Sequence, residues 1–126
     1  MEESFRALLL NDSGVSALAG ARVNWGAHPQ GQPLPAVVLH VIGGNDEPTL
    51  EAPDGLTQGR VQVDCYADTI GGAVGLGRAV RAAVNGHRGG DFQGIFHAAT
   101  RTGREGGGDA DRPFYVQLDF TTHYQE

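Results

Sequence analysis

Gly59-Arg60-Val61-Gln62-Val63-Asp64-Cys65-Tyr66-Ala67-Asp68-Thr69, running on to Arg78-Ala79-Val80-Arg81-Ala82-Ala83-Val84-Asn85-Gly86, is the stretch that decides the fold. Arg60, Gln62, Asp64 and Tyr66 alternate with Val61, Val63, Cys65 and Ala67, the two-residue period of a strand with one wet and one dry face. After Ala67 the period changes. Ala73, Leu76, Gly77, Val80, Ala83 and Val84 recur at three- and four-residue steps and draw an apolar stripe along a helix. Asp68 or Thr69 can cap its start, and Asn85-Gly86 supplies a left-handed stop. The helix must therefore lie on the dry face of its own strand or of a neighbour.

Working outward, Ala36-Val37-Val38-Leu39-His40-Val41-Ile42 is the most apolar run, short, β-branched and closed by Gly43-Gly44, and reads as a central strand. Between it and Arg60 lies a long connection, Asn45 to Gln58, with Pro48, Pro53 and the acids Asp46, Glu47, Glu51 and Asp54, read as an extended hairpin loop. Upstream, Glu3 to Leu10 carries Phe5, Leu8 and Leu9 at helical spacing behind two acids that suit the positive end of a helix dipole. Asp12 or Ser13 caps a second short helix with Gly20 as its stop. Arg22 to Gly26 is a brief strand, and Pro29, Pro33 and Pro35 hold the following connection extended. Downstream, His87 to Asp91 is a loop, Gly94 to Arg101 a strand, and Thr102 to Arg112, with Gly106-Gly107-Gly108, a hairpin tip. Phe114 to Tyr124 alternates again, Val116, Leu118 and Phe120 inward, Tyr115, Gln117, Asp119, Thr121 and His123 outward. Within the helix, some of Gly71, Gly72, Gly75 and Gly77 read as a loose first turn, in preference to Gly75 and Gly77 admitting a close approach by another backbone.

The order is thus ααβββαββ in one domain, residues 1–126. The fold class is α+β: a single mixed, mainly antiparallel sheet of about five strands with helices on one face. The chain has 126 residues, enough to bury a core without staples, and its lone Cys65 suits a reducing compartment. The start is acidic and its apolar run, Ala7 to Leu10, is too short for an export signal or a span, so no membrane role is expected. Fifteen acidic residues against nine basic ones, all arginine, give a net charge of −6. That sign disfavours nucleic-acid binding, whose affinity comes from cations that displace counterions.

No catalytic constellation emerges. Cys65 falls on the valine face, where a free cysteine is a small buried apolar group and not a nucleophile. His40, His97 and His123 sit on expected strands near Asp64 or Asp119, but no pair has metal-ligand spacing. The glycine cluster at residues 71–77 fits neither phosphate-loop template, and residues 46–54 lack the ordered spacing of a calcium loop. Catalytic, cofactor-binding and metal residues are therefore expected to be none.

The strand Leu34-Pro35-Ala36-Val37-Val38-Leu39, the strand Arg60 to Ala67, the helix ending Arg78 to Gly86 and the closing Val116-Gln117-Leu118-Asp119-Phe120 appear in the order found in one family. In this the chain resembles the bacteriophage tail completion or tail terminator proteins, the head-to-tail joining proteins of long-tailed phages, prophages and gene transfer agents. The resemblance implies a structural, non-enzymatic role without cofactors. It implies a homo-oligomeric ring, commonly a hexamer, that caps the tail tube, ends its polymerisation and presents a surface to the head connector or stopper protein. DNA would cross its lumen without specific binding. The place would be the neck of the virion, after assembly from the host bacterial cytoplasm. On this reading the assembly loops carry Asp46, Glu47, Glu51, Asp54, Arg101, Arg104, Glu105 and Asp109. Two alternatives stand beside it: another neck or head-completion component, and a small dimeric α+β enzyme or ligand-binding domain using a polar sheet face around His40, Asp64 and His97.

Overall fold

The alternation that begins before Val61 runs through the middle of the sheet in the computed structural model, which describes residues 2–27, 33–42, 50–51, 56–90, 92–104 and 113–125. In chain order the elements are α1 (Glu2–Leu10), α2 (Ser13–Ala19), β1 (Val23–Trp25), β2 (Ala36–Ile42), β3 (Leu50–Glu51), β4 (Leu56–Ala67), α3 (Ile70–Val84), β5 (Phe92–Arg104) and β6 (Phe114–Gln125). The strands lie side by side as β1-β2-β4-β6-β5, with β3 paired to the start of β4. Only β1 and β2 run parallel; every other neighbouring pair is antiparallel. The α+β class and the mixed, mainly antiparallel sheet are as the sequence predicts.

Register follows the dry face. Leu39 opposes Val63, and Val63 opposes Leu118, so one apolar row crosses three strands; Val37, Cys65 and Val116 form the next. On these rows pack Phe5 and Leu9 from α1, Val15 and Ala19 from α2, and Ala73, Leu76, Val80 and Val84 from α3, all buried. Phe5 stands edge-on to Phe92 and tilted to Phe120, with ring centroids 6.2 and 6.3 Å away. Two caps hold the helix starts: the Asp12 carboxylate accepts the Val15 N–H at 3.0 Å, and the Thr69 hydroxyl accepts the Gly72 N–H at 3.0 Å. At the far end of α3, Gly86 takes φ +80°, a turn that residues with a Cβ rarely adopt.

Several boundaries move outward from the sequence reading. Residues 50–51 and 56–58, expected in a loop, are β3 and the start of β4; residues 92–93 and 102–104 extend β5 at both ends. Pairing is the reason, since every added residue but Gln93, which falls in an irregularity, lies opposite a neighbouring strand, and a neighbour does not show in local periodicity. At the brief first strand the ends trim to Val23–Trp25. The glycine reading changes for Gly77, which lies mid-helix where a Cβ would come 2.8 Å from Val116 Cγ1. It lets α3 settle onto β6, a close approach to a side chain and not to another backbone. Gly75 has open space around it, and Gly71 and Gly72 fall in the first turn, as expected. Among the described residues no helix is long and apolar enough to cross a membrane.

Candidate functional site

The helices all lie against one side of the sheet, so the polar residues of β4 and β6 meet no other layer among the described residues. This open face carries Arg60, Gln62, Asp64 and Tyr66 beside Thr121, Asp119, Gln117 and Tyr115 in register. Two of its carboxylates are nonetheless covered: Asp64 is 5% exposed and Asp119 8%. Their neighbours do the covering. His40 of β2 places Nε2 3.2 Å from Asp64 Oδ2, and the Gln62 amide donates to both Asp64 oxygens at 3.0 and 3.2 Å. Arg60 lies 3.7 Å from Asp119. The Tyr66 and Tyr115 rings, and those of Phe96 and His123, pair across strands on the same face.

The histidines do not converge. His97 opposes Phe120, whose side chain belongs to the core, and its ring stands 5.8 Å from that of Phe120 on the helix side. A polar cluster of His40, Asp64 and His97 is thereby corrected, because the sheet separates His97 from the other two. The described residues hold no group of three or more metal-ligating side chains. Cys65 is buried in the core, and burial, reinforced by the nearby Asp64 charge, pushes its thiol up, so it offers no thiolate nucleophile at neutral pH.

Of the assembly-loop residues, Arg101 is exposed on β5 opposite Gln117, on the open face. Glu51 falls in β3 and Arg104 ends β5, while Asp46, Glu47, Asp54, Glu105 and Asp109 lie outside the described residues. The roots of these segments are informative. Ile42, Leu50, Glu51 and Leu56 lie at the end of the sheet where Leu56 meets Gln125. Arg104 and Phe114 lie at the other end, beside Ala67. A twelve-residue strand separates the two, roughly 35–40 Å at the usual rise. Sequence reasoning found both segments but not their opposition, which depends on how the strands pair.

Among solved structures, a chain of one described as the virion of a native gene transfer agent (GTA) particle has a similar fold. The two share 22% sequence identity and superpose with a TM-score of 0.68 over 97% of this chain and 92% of that one. A comparison with curated proteins finds no match. The pattern of the family described as Tail completion protein gp17 matches residues 3–125, so the chain belongs to that family, and is a structural tail protein and not an enzyme.

Proposed function

We propose that this tail protein closes into a ring on the last ring of the tail tube, ends tube polymerisation and presents a joining surface to the head connector, with DNA crossing its lumen. The observation that carries the reading is the placement of the two long segments at opposite ends of the sheet, one rooted beside Leu56 and the other beside Arg104. A subunit built this way reaches the ring below with one end and the ring above with the other. Subunits closing through unlike surfaces give a cyclic ring. The net charge of −6 keeps a DNA passage non-adhesive.

Within this reading Arg101, Arg104, Glu105 and Asp109 belong to one assembly segment, and Asp46, Glu47, Glu51 and Asp54 to the other, some of them near the lumen. Deleting residues 106–109 is expected to leave the circular dichroism spectrum and melting temperature unchanged while tails overrun their normal length in electron micrographs. Tails of normal length from the deleted chain would remove the capping role from that segment. Replacing Asp46, Glu47, Glu51 and Asp54 together by lysine is expected to slow DNA ejection from otherwise complete particles, since cations on the wall bind phosphate. Ejection at the unaltered rate would take these four acids out of the lumen.

A further inference from the structure

Strand β5 forms one border of the sheet, and its outer backbone changes character halfway along. As far as His97 the border is closed from within: the Gly86 N–H donates to the Ile95 carbonyl at 2.6 Å, and the His97 N–H to Asn85 Oδ1 at 2.8 Å. Ile95 and His97 oppose Thr122 and Phe120. An irregularity between His97 and Ala99 then shifts the register by one residue, so the outward phase passes to Thr100 and Thr102, opposite Leu118 and Val116. Their backbone N–H and C=O groups have no partner among the described residues. At the opposite border β1 is only three residues long, and Arg6 Nε donates to the Val23 carbonyl at 2.7 Å. The sheet is open on one side and blunted on the other.

Beside the open border lies a recess of about 280 Å³ between α3 and β5, floored by Val116 and Leu118. Arg78 and Arg81 stand on its helix wall, Thr100 and Thr102 on its strand wall. Arg101 projects from the other face of the same strand. Three other described arginines are engaged: Arg6 with Val23, Arg22 with Pro35, Arg60 with Asp119. The guanidinium groups of Arg78, Arg81 and Arg101 make no hydrogen bond or ion pair with any described residue. Unpaired strand groups are a template for another strand, an apolar floor accepts its alternate side chains, and unpaired guanidinium groups favour carboxylates.

We infer that this border is the site where a second copy of the chain docks, adding an extended segment along Thr100 to Arg104 with an apolar side chain over Val116 and Leu118. The inference rests on the ring reading above and names the surface that reading leaves open. Charge selects the occupant: a chain with six more negative than positive charges suits a border ringed by three unpaired arginines. Because the opposite border is blunted, an open edge on one copy meets a different surface on the next, the head-to-tail geometry that closes into rings.

The test uses the full chain with Thr102→Cys carrying a benzophenone maleimide; buried Cys65 stays unlabelled in the folded protein. Irradiating the assembled rings is expected to yield a covalent dimer of this chain. The variant R78E/R81E, whose changes sit on exposed helix positions, is expected to weaken self-association by about tenfold or more in sedimentation, with unchanged circular dichroism. Rings that form with neither effect would overturn the docking site and leave ring formation standing. Crosslinks from position 102 to a tube protein alone would overturn it equally. A chain that never self-associates, even on tail tubes, would remove both.

Discussion

Replacing Phe5 by alanine is expected to lower the unfolding free energy by about 3–5 kcal/mol, a large part of the 5–15 kcal/mol typical of a domain. The size follows from position. Phe5 is fully buried, and its ring meets Phe92 of β5 and Phe120 of β6, so one side chain joins a helix to two strands. α1 has nine residues, too few to persist in water without packing. Besides Phe5, it is held by buried Leu9, by Leu8 and Leu10 packed partly buried against the core, and by the Arg6 bond to β1. Alanine leaves a cavity that the surrounding side chains, held by their own packing, close only in part. In urea the midpoint is expected to fall on the order of 2 M, from the usual slope for small proteins. A loss below about 1 kcal/mol would mean that α1 does not seal this end of the core.

The second large effect is alkaline. Burial and then the Asp64 charge push the Cys65 thiol up, so the folded protein holds this proton well above the ordinary range. In the unfolded chain the same thiol titrates near its free value of about 8.5. Above that pH the unfolded state binds fewer protons than the folded one, so stability falls as pH rises, by about 1.4 kcal/mol per pH unit from this group alone. By about pH 10.5 the loss relative to neutral pH amounts to about 2.7 kcal/mol, and it fades out as pH falls through and below about 8.5. Cys65→Ala lacks the titrating group. Its stability, measured by urea unfolding across this range, is expected to decline less steeply, with tyrosine titration common to both chains. Parallel curves would show that the thiol is not held neutral in the core.

The centre of the fold was legible because β4, β6 and α3 each carry an unbroken local period: Val61-Val63-Cys65, Val116-Leu118-Phe120 and the stripe from Ala73 to Val84 all face the core as their spacing requires. Legibility failed where a neighbouring strand, and not the local pattern, decides. Leu50–Glu51 is a strand because it lies beside Thr57 and Gln58, and Thr102 to Arg104 because they lie beside Phe114 to Val116. On the open face, alternation placed Asp64 and Asp119 toward water but could not show that His40, Gln62 and Arg60 cover them. His97 joins the open face only in the alternative reading of an enzyme or ligand-binding domain; it shares the helix side with buried Ile95, and the register shift that follows, which a run of His-Ala-Ala-Thr does not show, decides instead which side Thr100 and Thr102 take. The free arginines beside β5 escaped notice for a related reason: Arg78 and Arg81 come from a helix, Thr100 and Thr102 from a strand, and only tertiary packing makes them neighbours.

Strand β6 lies between β4 and β5, although it follows both in the chain. During translation the two outer partners therefore emerge before the strand that joins them. Until residues 114–125 leave the ribosome, β4 lacks one neighbour and β5 has none of its ladder, which leaves Ile95 and Phe92 without the wall that finally buries them. Synthesis halted upstream of Phe114 yields two unconnected half-layers, so the core of this fold is completed only once β6 has been made.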